Sequence, residues 1–155
     1  MRHASDDMIA PYLRAALILI PALWAGMLIG VAFIATPVKF AAPTLEHAAA
    51  LDVGRVTFAL FSKIEWGAVT ALALIVMLAG FPLWAVVITV ALAICLAVQG
   101  IWLLPALNER VAAVIAGTPL PASHHHTVYA VLEALKLLLL VAFFVTATVK
   151  NRPGR

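Results

Sequence analysis

Tyr129, Glu133 and Lys136 are spaced by four and then three residues inside one apolar run, a spacing that lines side chains along one face of a helix. Glu65 stands in a second apolar run with Lys63 beside it. At about 100° per residue, Arg55, Ser62 and Glu65 fall within about a quarter-turn of one another. Gln99 lies in a third run. Paired carboxylates in an apolar setting are groups for general acid–base work. Glu65 and Glu133 are therefore the acid–base candidates, with Lys136 to anchor an anionic or carbonyl group and Tyr129 to donate a hydrogen bond. Arg55, Lys63, Gln99 and Arg110 are the ligand-binding candidates. Glu133 and Lys136 can neutralise each other within one helix, whereas Glu65 needs Lys63, Arg55, Lys136 or a proton. A second chemistry is metal binding. The triplet His124, His125 and His126 together with His47 offers imidazoles near these carboxylates, and a mixed His/carboxylate site would draw on His47, His125 and His126. Consecutive side chains diverge, so no more than two of the triplet could share an ion.

The elements that must position these groups follow from composition. Of 155 residues, 65% are hydrophobic and 11% charged, and mean hydropathy is +1.11. A soluble domain is about 45–50% apolar and about 25% charged, so a soluble enzyme, a disordered tail and a nucleic-acid binder are excluded. Roughly 20 apolar residues cross a bilayer, and the chain holds four such segments. The net charge of +3 reflects Lys and Arg flanking the spans. Cys95 is the single cysteine, which excludes an intrachain disulfide and paired-thiol redox chemistry.

The expected fold is all-α: an integral membrane four-helix up-down bundle forming one domain, with spans at about 15–36, 56–79, 83–104 and 127–149 and short amphipathic helices in the two longer loops. The first span is too long for a signal-peptide core of about 7–15 residues. Pro21 should loosen it, and Pro37 and Pro43 should end it. Its small residues Ala22, Gly26 and Gly30 recur every four positions, a face on which a second helix, including one from another copy of the chain, can pack closely. Glu46–Arg55 reads as an amphipathic stretch running into the second span. Gly80-Phe81-Pro82 marks a tight hairpin. The third span should end near Leu104-Pro105, with a further short helix over Ala106–Ala116 closed by Gly117. Trp24, Trp66, Trp84 and Trp102 read as interfacial anchors.

In this topology the termini and the Gly80 hairpin share one end of the bundle, here end A, and the two longer loops share the other, end B. Arg2, Arg14, Lys150, Arg152 and Arg155 stand at end A against Lys39, Arg55, Lys63 and Arg110 at end B. The split is close to even, and the positive-inside rule then favours cytoplasmic termini. The depth of charge is more informative. Intramembrane charge lies in the B half, and Leu72–Ala79, Leu83–Val98 and Leu137–Val145 have none.

Three runs carry a resemblance: ATPVKFAAPTLEHAAALDVGRVTFALFSKIEW, IWLLPALNERV and TVYAVLEALKLLLL. Together they resemble uncharacterised bacterial four-helix membrane proteins. The first resembles the domain-of-unknown-function group that includes a human transmembrane protein linked to platinum-drug resistance. LLPALNER is similar in layout to the anthrone-oxygenase-like membrane family. The resemblance implies four helices and transfers no residue-level mechanism; the His triplet departs from both groups.

The function expected from these observations is a polar pocket open at end B that binds, and in one version transforms, a small lipophilic or amphiphilic molecule. The alternatives are a transporter or channel built as an oligomer, and a non-catalytic membrane subunit contacting its partner through Gly26 and Gly30. The sequence names no cofactor. Phosphate-loop, serine-hydrolase and zinc-protease signatures are absent, and no His lies within a span to serve as a haem ligand.

Overall fold

The computed structural model describes residues 2–80, 82–118 and 120–151, with side chains from residue 10 onward. The Arg2 side chain, Phe81, Arg152 and Arg155, on which the charge and hairpin arguments drew, lie outside that set. The chain forms an all-α bundle of four long helices. Helix α1 runs over Arg2–Leu28, widens into a π-helical segment at Ile29–Ala35 and closes with Thr36–Lys39. Helix α2 spans His47–Leu78. Helix α3 comprises Leu83–Val98, a π-helical segment at Gln99–Leu103, and Leu104–Ile115. Helix α4 spans His125–Lys150. Four helices are long and apolar enough to cross a membrane, and the protein is an integral membrane protein.

Sequential helices pack side by side, and α1 closes the ring against α4. The buried seam of α2 is Ala50, Gly54, Phe61, Glu65, Val69, Leu72 and Val76; that of α4 is Tyr129, Glu133, Lys136, Leu140, Phe143 and Ala147. Steps of three and four residues keep one stripe facing inward, as in other four-helix bundles. Outside, Leu19, Leu23, Leu74, Leu138 and many other large apolar side chains are exposed, the surface that lipid covers. Within the helices, Thr57, Thr70 and Thr148 return their hydroxyls to the carbonyl one turn back, which satisfies these three donors without water.

Two boundaries differ from the sequence reading. Pro37 and Pro105 do not end their helices. A proline removes one N–H and its ring crowds the carbonyl four residues earlier. In both helices a π-helical segment ends two residues before the proline and absorbs that conflict, so the helix continues. In α1 the Thr36 hydroxyl also donates to the Val31 carbonyl at 2.8 Å. The amphipathic stretches at Glu46–Arg55 and Ala106–Ala116 consequently form the B-end extensions of α2 and α3. Pro21 is likewise accommodated without a break. Gly117 does close α3. At φ +72° it donates to the Val114 carbonyl while Thr118 donates to that of Ala113, the paired bonds of a Schellman end. Gly80, at φ +83°, ends α2. A β-carbon on Gly26 or Gly30 would meet nothing within 4 Å among the described residues.

With Cys95 replaced by Ala, single cysteines at Ala79 and Asn151 should react with an impermeant maleimide from the same side of the membrane, and cysteines at Thr44 and Ser123 from the other. Ala79 and Asn151 reacting from opposite sides would contradict the up-down order.

Candidate functional site

One charged cluster draws a side chain from every helix. Lys136 of α4 is fully buried, and its Nζ lies 2.6 Å from Glu65 Oε1 of α2 and 3.0 Å from Glu133 Oε1, one turn back on α4. Trp24 of α1 donates its indole N–H to Glu65 Oε1 at 3.0 Å. Gln99, at the first position of the π-helical segment in α3, donates its amide to Glu133 Oε1 at 2.9 Å. The stripe read from the spacing of Tyr129, Glu133 and Lys136 therefore faces inward, and Lys136 is the partner that Glu65 requires. Two carboxylates meet one ammonium, and two acceptors remain without a donor among the described residues: Glu133 Oε2 and Gln99 Oε1.

Two adjoining cavities lie between this cluster and end B. One, of about 370 Å³, opens between α1 and α4. Its wall includes Phe33, Phe40, Phe58, Tyr129 and Ala130, with Glu133 at its inner end. The other, of about 120 Å³, lies between the B-end segments of all four helices and is lined by Lys39, Gly54, Arg55, Asn108, His126 and Tyr129, among others. They share Thr36, Phe40, Phe58, His126 and Tyr129. Phe58 fixes the Tyr129 ring edge-on at 5.3 Å between centroids. Glu65 lines neither cavity; Trp24 and Lys136 hold its Oε1 between them.

The remaining sequence candidates divide. Arg55 reaches the smaller cavity but sits one position off the buried seam of α2; it is exposed and pairs with Asp52 at 2.6 Å. Lys63 is about half a turn away from that seam, exposed on α2 and apart from the cluster. Arg110 donates to the Leu120 and Pro121 carbonyls and so ties α3 to the following loop. The histidines part ways. His47 packs on Phe40, His125 stands edge-on to Trp102, and only His126 reaches the cavities. Among the described residues no three His, Cys, Asp or Glu side chains come together as a metal-binding group, so His47, His125 and His126 do not form the mixed site that proximity in sequence suggested.

Three participants escaped the sequence reading. Trp24 is not an interfacial anchor; it is wholly buried, and the available signal was its place in the middle of an apolar run. Lys39 turns inward to Gly54 across the smaller cavity, and a β-carbon on Gly54 would overlap its ammonium. No spacing rule links residues on separate helices. At end A lies a cleft of about 460 Å³ bordered by Arg14, Leu17, Trp84 and Lys150, which amends the picture of a single polar opening. Between it and the cluster, α2 buries only Val69, Leu72 and Val76, and α4 only Leu140, Phe143 and Ala147.

The chain matches no protein-family model, no curated protein and no solved structure, and the reading of the site rests on its own geometry.

Removing Lys136 leaves two buried carboxylates facing each other. Lys136→Met should cost about 3–5 kcal/mol of stability, read as a fall in melting temperature in detergent. Adding Glu65→Gln and Glu133→Gln should restore much of it. A single Lys136→Met variant as stable as the wild type would show the cluster to be solvated. Trp24→Phe, which removes a hydrogen bond to a charged acceptor, should cost about 1.5–3 kcal/mol.

Proposed function

We propose that the protein binds a small lipophilic or amphiphilic molecule in the B-end cavities. The observation that carries this is the pairing of a lateral cavity of about 370 Å³ with an unpartnered buried carboxylate oxygen, Glu133 Oε2, at its inner end. Ligand pockets are mostly apolar, with a few convergent polar groups that fix orientation. Here Phe33, Phe40 and Phe58 supply the apolar wall, and Tyr129 and Glu133 the polar groups. The exposed Phe33 and Phe40 at the rim favour entry from the surrounding leaflet. A hydroxyl or amine on the ligand would give Glu133 Oε2 the donor it lacks. Tyr129 and Glu133 are also the groups available for proton exchange with a bound molecule, and Lys136 sets the charge behind them.

The uncharged seams between the cluster and the end-A cleft support binding from one end over passage through the bundle, because an ion leaving the cluster toward end A would meet almost no polar partner. The same proposal places the protein in a bacterial inner membrane with its termini in the cytoplasm, supported by Arg14 and Lys150 at end A.

Purified protein in nanodiscs should bind decanol saturably above the partition into empty discs. Glu133→Gln should shift that affinity by about tenfold, a difference of about 1.4 kcal/mol. In liposomes the wild type should pass no protons, metal ions or anions. Steady flux abolished by Glu65→Gln or Glu133→Gln would replace the binding pocket with a transporter.

A further inference from the structure

We propose that Lys39, whose ammonium lies in the smaller cavity against the bare backbone of Gly54, is a receptor for the anionic head of an amphiphile, a carboxylate or a phosphate. The inference rests on the pocket reading above and specifies its ligand class.

Lysines at the ends of membrane helices ordinarily run outward, their stems along the apolar surface and their ammonium among the headgroups. Lys39 is the last residue of the α1 segment Thr36–Lys39, yet its ammonium turns inward onto the backbone of α2. Gly54 lies on the buried seam of that helix, and any other residue there would fill the space that the Lys39 Nζ occupies. The Phe40 ring also stands near it, its centroid 5.0 Å away. Among the described residues no carboxylate pairs with Lys39. Asp52, on the same stretch of α2, is taken by Arg55.

Charge separates the two cavities. The charged residues lining the smaller one are Lys39 and Arg55, both cationic, whereas the larger one has Glu133 as its charged residue. An anion is therefore attracted to the first and repelled from the inner end of the second. Asn108 lines the smaller cavity as an amide donor, and Tyr129 and His126 stand where the two meet. A head bound at Lys39 would leave its chain free to run past Phe40 and Phe58 into the lateral cavity and out between α1 and α4. A charge-assisted contact with a partly dehydrated ammonium is roughly twice as strong as a neutral hydrogen bond.

The test compares decanoate, decyl phosphate and decanol, with acetate and inorganic phosphate as headgroups without a tail, each titrated by calorimetry into protein in nanodiscs and into empty discs. The wild type should bind decanoate and decyl phosphate about tenfold more tightly than decanol, and acetate and inorganic phosphate far more weakly. Lys39→Gln should bring the two anionic amphiphiles down to the affinity that decanol has for the same variant, and Lys39→Arg should keep the preference. Equal affinity for acid and alcohol in the wild type, or a preference that survives Lys39→Gln, would overturn the role of Lys39 while leaving the pocket standing. Tail-less anions binding as tightly as the amphiphiles would overturn the amphiphile as ligand. No saturable binding of any of the three amphiphiles would sink the pocket reading itself.

Discussion

A lysine buried at bundle depth is the constraint around which this structure is arranged. An isolated charge in the middle of a membrane helix costs about 2.5–3.5 kcal/mol on insertion scales. Lys136 meets that cost with two carboxylates, Glu65 at 2.6 Å and Glu133 at 3.0 Å. Those carboxylates are held in turn by Trp24 and Gln99. Every helix is thereby tied to one point. Apolar packing alone gives little register in lipid, because the acyl chains are as apolar as leucine. Sliding any one helix by a turn of about 5.4 Å would break a contact no longer than 3.0 Å in this cluster.

The prolines shape what lies toward end B. By widening a turn, each π-helical segment rotates the residues beyond it relative to those before it, as such insertions commonly do near functional sites. In α1 the rotated residues are Thr36, Lys39 and Phe40, all of them in cavity walls. In α3 the segment itself begins at Gln99, and its continuation brings Leu107 and Asn108 to the smaller cavity. The same local device thus places residues from two helices around one space. Had Pro37 and Pro105 ended their helices, neither Lys39 nor Asn108 would have been carried there on a rigid element.

The two halves of the bundle differ in chemistry. Toward end A the seams are Leu, Val, Ala and Phe, with the Thr89 hydroxyl the one side-chain oxygen buried among them without a partner. Toward end B, cations line one cavity and a carboxylate the inner end of the other, with Tyr129 between them. Such a division agrees with the proposed amphiphile site, with its head at the loops and its tail toward the leaflet, above apolar seams.

Much of this was already written in the chain. Runs of uncharged residues determine four spans because no other backbone satisfies its own hydrogen bonds so locally in lipid. Steps of four and three determine that Tyr129, Glu133 and Lys136 share a face, and charge that costs energy in hydrocarbon determines that this face turns inward. Gly117 determines its own helix end through a backbone angle that other residues avoid. What the chain could not state by itself is which helix faces which. Glu65 had four candidate partners, and only the closure of the ring, which sets α2 beside α1 and across from α4, selects Lys136 and adds Trp24. Arg55 shares a quarter-turn with Glu65 by periodicity, but the seam runs through Gly54 one residue earlier, and a shift of about 100° sends Arg55 outward to Asp52. The meeting of Lys39 with Gly54 joins residues on separate helices with no local signal in either, because periodicity reports the faces of one helix and contact between helices is decided by how those faces close on one another.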